Sequence, residues 1–265
     1  SGLREGAWIM SWNLVTFADE NFVKRQDFLS MYARQKCKMN PHPYTWKDIQ
    51  ETDFYKENSD IFSEAVGKGY FIWKPYIILD AMNKLDDGDI IMYCDTNDMF
   101  HPQLPQVVEQ LMEGDECLLL LGGFPNRDWT KRDCFVYMDC DSEDYWDVTQ
   151  LEAGVCFWRV CDKSKQVLKE WVEYCTDRRI LTDDPNVSGQ ENFETFQEHR
   201  RDQSILTNLA VKHELSVVGP EIRGYIECNY DYWYERNAET GYTLGRPIDQ
   251  FLKDMKVHIE EVINA

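Results

Sequence analysis

Short apolar runs alternate with helical stretches along most of this chain, and that alternation constrains its fold more than any other feature. "SWNLVTFADENF" reads as a buried strand from Trp12 to Ala18 that closes at Asp19. "NFVKRQDFLSMYARQKC" then places Phe22, Phe28, Leu29, Tyr32 and Ala33 at helical spacing. "WKPYIILDAMNKL" starts a second helix with Pro75 in a first-turn position and Ile77, Ile78, Ala81, Met82 and Leu85 on one face. "DIIMYCD" is a strand, "PQVVEQLM" a helix, "ECLLLLGG" a strand, and "DWTKRDCFVYM" a short helix with Asp128 as its expected N-cap. "LEAGVCFWRV" is a strand and "DKSKQVLKEWVEYCTD" a helix. "HRRDQSILTNLAVKH" is another helix, and "LSVVGP" a late strand. Strands that alternate with helices in this way predict an α/β fold with a mostly parallel central sheet flanked by helices. The last third is aromatic and irregular, with a closing helix expected at about Ile248 to Ile263.

The 265 residues carry no low-complexity tract, linker or internal repeat, so a single domain is expected. Twenty-eight Lys and Arg stand against 48 Asp and Glu, a net charge of −20. Such a field repels nucleic acid and anionic lipid, so neither is expected as a partner. A phosphate-bearing ligand is compatible with it only through local cations or a bridging divalent metal. The nine cysteines form no CxxC pair and several lie inside apolar runs, which predicts buried free thiols in a reducing compartment. No run is long enough to cross a bilayer and no signal peptide is read ahead of the first strand, so a cytoplasmic location is expected.

Chemistry concentrates where strands end. "GDIIMYCDTNDMFHP" runs from a buried strand straight into Asp95, Asn97 and Asp98. In an extended segment residues 95 and 97 project to one side, and Asp98 joins them if the chain turns. These hard oxygen donors suit Mn²⁺ or Mg²⁺; a plain turn with Asx hydrogen bonds explains the same residues. Lys74, at a helix start, can neutralise a diphosphate or hold Asp95 in place, and Gly67 and Gly69 permit an unusual backbone path. Glu152 precedes Ala153 and Gly154 at the mouth of a strand, where small residues let a sugar-sized ligand approach. Asp202 and Gln203 open a helix as a polar pair. The chain lacks a Walker A loop, a GxGxxG after a strand, HExxH and GxSxG.

The order "LVTFAD", "GYFIWKPYIILDAMNKLDDGDIIMYCDTND", "WTKRDCF", "LEAGVCFWRVCDKS", "LTDDPN" and "HRRDQSIL" resembles GT-A-type glycosyltransferases of bacterial surface-polysaccharide loci and large algal viruses, over about residues 11–215. More distantly it is similar to retaining galactosyltransferases of lipopolysaccharide and to glycogenin. The resemblance implies a nucleotide-sugar donor, UDP-linked, with Asp95 and Asn97, or Asp98, on the metal. Thr16, Phe17, Ala18 and Asp19 would hold the nucleoside, Lys74 the diphosphate, and Glu152, Asp202 and Gln203 the donor sugar. Asp202 and Glu152 are the catalytic candidates, and retention is slightly favoured over inversion. The nucleotide half is expected at about 11–100 and the acceptor half at about 101–265. His199, His213 and His258 are candidates for a further metal ligand, and Tyr225, Tyr230, Tyr232, Trp233 and Tyr234 for stacking on a glycan acceptor. Two rivals follow from the same residues. One is a Mg²⁺-dependent phosphohydrolase, although Asn97 and Met99 replace the Asp and Thr or Val that a strand-end aspartyl phosphatase uses. The other is a non-catalytic carbohydrate-binding module.

Overall fold

The computed structural model describes residues 10–227. Its centre is a six-stranded sheet built from β1 (Trp12–Ala18), β2 (Asn40–Thr45), β3 (Ile90–Cys94), β5 (Cys117–Pro125), β6 (Thr149–Arg159) and β7 (Val217–Val218), in the order β2-β1-β3-β6-β5-β7. A two-residue ribbon, β4 (Met99–Phe100) against β8 (Ile226–Glu227), stands apart from it. The α/β architecture is the expected one. One strand reverses the expected direction: β6 runs antiparallel to both β3 and β5, while every other pairing in the sheet is parallel.

Both faces of the sheet are covered, and alternation along each strand divides the core in two. On one face Val15, Ile91, Tyr93, Leu119 and Trp158 pack with helices α2 (Trp73–Met82), α4 (Asp162–Cys175) and α5 (Asp202–Lys212). On the other, Leu14, Met92, Leu118 and Phe157 meet α1 (Val23–Tyr32) and α3 (Leu104–Met112). Strand β3 reads from the sequence as a continuous apolar run, and β1 and the second half of β6 as nearly so, with the buried Asn13 and Thr16 of β1 hydrogen-bonded.

Two elements depart from the sequence reading. Strand β2, "NPHPYT", carries two prolines and was not expected as a strand. It lies on the sheet edge, and the spacing of Pro41 and Pro43 sets both missing N–H groups on the same side, away from β1. Asp128 does not cap the helix at Arg132–Tyr137. It ends a 3₁₀ turn, Asn126–Asp128, and its carboxylate accepts a hydrogen bond from Thr195 instead. Among the described residues the cysteines are free thiols, all buried except the half-buried Cys161. No helix among them is long and apolar enough to cross a membrane. The expected closing helix, Tyr230, Tyr232, Trp233, Tyr234 and His258 lie outside the described residues.

Candidate active site

The parallel strands point their carboxyl ends at one rim, and the reversal of β6 brings its amino end to that same rim. Cys94, the last residue of β3, pairs with Val155, so Asp95 and Gly154 are neighbours; the Asp95 N–H donates to the Gly154 carbonyl at 2.8 Å. After Asp95 the chain turns sharply, with the Asp98 N–H donating to the Asp95 carbonyl at 3.0 Å. The turn directs two carboxylates over Gly154. A Cβ built there would lie 3.2 Å from Asp95 Oδ2 and 3.4 Å from Asp98 Oδ2. Glycine leaves the two carboxylates this space, and a side chain here would push them aside by a few tenths of an ångström.

Asn97 takes a different course. It is exposed, and its side-chain oxygen accepts a hydrogen bond from the Arg25 guanidinium. The oxygens that converge are therefore those of Asp95 and Asp98, not the same-side pair of Asp95 and Asn97 expected from an extended strand. The tight turn rotates Asn97 outward.

Beneath this rim Lys74, 4% exposed, joins three strand and helix ends. Its ammonium donates to the Ala153 carbonyl at 3.0 Å, lies 3.2 Å from Asp202 Oδ2 and 3.7 Å from Asp95 Oδ1, and sits against the Tyr93 ring. Burial works against its charge, but Asp202 and then Asp95 outweigh that and hold Lys74 above the ordinary lysine range. Burial raises the Asp202 carboxyl, with Lys74 pulling it back and Asp95 pushing it further up. One ammonium facing two carboxylates keeps the lysine charged. Asp202 is itself 4% exposed, and its Oδ2 has no directed hydrogen-bond donor despite the nearby ammonium. Tyr93 completes the brace: its hydroxyl donates to Asp95 Oδ1.

The polar pair at the start of α5 is divided between two tasks. Gln203 accepts from the Ala153 N–H at 3.3 Å and donates to Gln150 Oε1 at 2.9 Å. Gln150 in turn donates toward the Trp129 carbonyl and the Thr130 and Ser204 hydroxyls. The start of β6 is thus locked to α5 through buried amides. Glu152, partly exposed, forms an ion pair with Arg223, which also donates to the Leu121 carbonyl at 3.0 Å.

Next to Asp95 an open cleft of about 200 Å³ runs past Phe17, Asp19, Lys68, Phe71 and Trp73. The Phe17 and Trp73 rings stack with centroids 3.8 Å apart at 23°, and the indole N–H donates to the Gly67 carbonyl at 2.9 Å. Thr16 faces inward and is occupied, its hydroxyl accepting from Gln26 at 3.1 Å; Ala18 is buried; Asp19 stands at the rim 3.9 Å from Lys68. The wall from Gly67 to Phe71 is a run of five residues with positive φ: Gly67, Lys68, Gly69, Tyr70 and Phe71. Left-handed backbone costs a non-glycine residue about 1–2 kcal/mol, so Lys68, Tyr70 and Phe71 hold strain at the edge of this cleft. At Gly69 a Cβ would come within 2.9 Å of the Phe62 backbone, so only glycine fits.

The histidines serve elsewhere. His199 is buried, with Nε2 against the Ile180 carbonyl at 2.8 Å and Nδ1 accepting from the Lys131 N–H at 3.3 Å; burial lowers its pKa to about 3. His213 pairs with Glu170 at 3.1 Å. Among the described residues no three His, Cys, Asp or Glu side chains form a metal cluster; the carboxylates that converge at the rim are those of Asp95 and Asp98. Their hard oxygens and the bare Gly154 between them fit Mn²⁺ or Mg²⁺ that retains water and shares phosphate oxygens.

Reading the sequence alone missed Tyr93, Gln150 and Arg223. Tyr93 was findable: a lone hydroxyl in an aliphatic strand, two residues before Asp95, must share its face. Arg223 carries no comparable local signal.

No protein-family model and no curated protein sequence matches the chain. Its structure is similar to a glycosyltransferase involved in glycosylation of the major capsid of PBCV-1, at 9% identity and TM-score 0.45, over 80% of this chain and 83% of that one. It is also similar to mouse xyloside xylosyltransferase 1, at 9% identity and TM-score 0.42, over 79% and 85% of the two chains. A third is the galactosyltransferase LgtC, at 12% identity and TM-score 0.42, over 79% and 74%. All three are glycosyltransferases, the kind of protein that the sequence resembles.

Proposed function

We propose that the chain is a metal-dependent glycosyltransferase that moves a sugar from a nucleotide-diphosphate donor, a UDP-sugar, to a glycan acceptor. The observation that carries this reading is the convergence of the Asp95 and Asp98 carboxylates over Gly154, beside an aromatic cleft and above the buried Lys74–Asp202 pair. In this reading the base and ribose occupy the cleft by Phe17 and Trp73, with Asp19 at its edge. Asp95 and Asp98 would hold Mn²⁺ or Mg²⁺, which supplies charge neutralisation for a departing diphosphate.

The remaining work falls to the chain's own groups. Lys74 fixes Asp95 and Asp202 at a set separation and adds a positive charge below the leaving group. The Asp202 carboxylate, held at Oδ2 by the Lys74 ammonium at 3.2 Å, accepts a hydroxyl of the donor sugar or faces its developing positive charge. Gly154 leaves room beneath the two carboxylates for the sugar to approach, while Ala153 is buried with its N–H and carbonyl engaged by Gln203 and Lys74. Glu152, bridged by Arg223, stands farther out toward the acceptor, and in an inverting reaction it or Asp202 accepts the proton of the attacking hydroxyl. Retention, with attack on the same face as departure, remains the slightly favoured course.

The test is calorimetric titration of UDP and of GDP, each with and without Mn²⁺, on the wild type and on Asp95→Ala. Metal-dependent UDP binding that the variant loses is expected. Binding of neither nucleotide by folded protein with metal present would overturn the UDP assignment, and turnover of simple phosphate esters would favour a phosphohydrolase.

A further inference from the structure

Strand β5 runs on past Leu121 beside the start of β6, as far as the pair of Pro125 with Thr149. Beyond Leu121 it continues through Gly122, Gly123 and Phe124 to Pro125, and Gly122 lies so close to β6 that a Cβ would stand 2.8 Å from the Gln150 carbonyl and 3.5 Å from Glu152 Cγ. This extension lifts Phe124 above the rim with 53% of its surface exposed, whereas every other phenylalanine whose burial is described is buried or half-buried. The ring leans on Trp129, with centroids 5.3 Å apart at 50°, and the Arg200 guanidinium lies 4.5 Å from the centre of the indole. Arg200 also pairs with Glu198 at 2.8 Å. The group is rigidly mounted, because the Trp129 carbonyl accepts from Gln150, Ser204 and the Arg200 N–H. Gln150 is the same residue that holds Gln203, so the aromatic pair and the candidate site share one buried framework.

From these relationships we infer that Phe124, backed by Trp129, is a stacking subsite for a neutral sugar ring of an extended acceptor. This inference rests on the glycosyltransferase reading and deepens it. An exposed aromatic face carries negative π density that attracts the polarised C–H face of a pyranose, while Arg200 and Glu198 at its margin match ring hydroxyls. The net charge of −20 selects against an anionic glycan. Position decides which sugar it is. Thr149, opposite Pro125, is five residues along β6 from Gly154, a span of up to about 16 Å that the register shift between Leu119 and Leu120 shortens but keeps beyond about 5 Å, a ring's width. That is farther than one sugar ring reaches, so the subsite holds a unit of the acceptor distant from the hydroxyl that reacts. The acceptor is accordingly an oligosaccharide.

The experiment is saturation-transfer NMR of neutral probes, the methyl glycosides of glucose, galactose, xylose and N-acetylglucosamine, against wild type, Phe124→Ala and Phe124→Ala/Trp129→Ala. UDP with Mn²⁺ is titrated into the same samples. Ring C–H signals from at least one probe are expected, falling several-fold in Phe124→Ala, with UDP binding unchanged. No signal from any probe, or a signal that survives in the double variant, overturns the subsite. Loss of UDP binding in the wild type, with the glycoside signal intact, would instead overturn the donor reading and leave the subsite standing.

Discussion

The ammonium of Lys74 lies 3.2 Å from Oδ2 of Asp202, and both side chains are almost wholly excluded from water. Removing one member of such a pair strands the other as a buried charge. Lys74→Met is expected to lower stability by about 3–5 kcal/mol, whereas the double variant Lys74→Met/Asp202→Asn recovers much of that loss. Urea unfolding of the four proteins gives the cycle. A single variant within error of the wild type would show that the pair is not held as described.

Gly154→Ala separates site chemistry from folding. Its backbone is not left-handed, so alanine brings no φ strain, but the new methyl group meets the Asp95 and Asp98 carboxylates at 3.2 and 3.4 Å. Stability should change by less than about 1 kcal/mol, while Mn²⁺-dependent UDP binding weakens by about tenfold or more, as losses around metal sites commonly do. Calorimetry together with thermal unfolding checks both halves. Unchanged binding would place the cation elsewhere.

Asp98 and Asn97 make a contrasting pair, since the turn after β3 sends one carboxylate over Gly154 and the neighbouring amide to Arg25. Asp98→Asn is expected to weaken metal-dependent nucleotide binding by about tenfold or more, and Asn97→Ala to leave it within about threefold. The reverse ranking would return Asn97 to the metal.

His199 predicts an acid-side loss of stability. Its ordinary pKa near 6.5 falls to about 3 in the folded chain, chiefly through burial. Between those values the unfolded chain binds the proton and the folded chain does not. The contribution is complete above about pH 6.5 and is lost as pH falls, by up to about 1.4 kcal/mol per unit. In His199→Gln that part of the slope between pH 6.5 and 4.5 should vanish, as measured by urea unfolding at four pH values. Equal slopes in both proteins would mean that the imidazole is protonated in place.

Local order was legible because it is a local property. The apolar runs at Trp12–Ala18 and Ile90–Cys94 and the helical spacing of Ile77, Ile78 and Ala81 needed no knowledge of the rest of the chain. So did the abrupt change from Cys94 to Asp95, which marks a strand end with hard oxygen ligands. The direction of β6 was not legible, because a strand covered on both faces shows the same apolar run whether it lies parallel or antiparallel to its neighbours. Yet that direction sets Gly154 beneath Asp95 and Asp98 and lets Lys74 reach Ala153, Asp95 and Asp202 together. The sequence by itself determined the longer helices and, β2 excepted, the main strands of the sheet, and which residue types stand at their ends. Only the tertiary structure decided which of those ends meet, because pairing between distant segments depends on packing that no single stretch encodes.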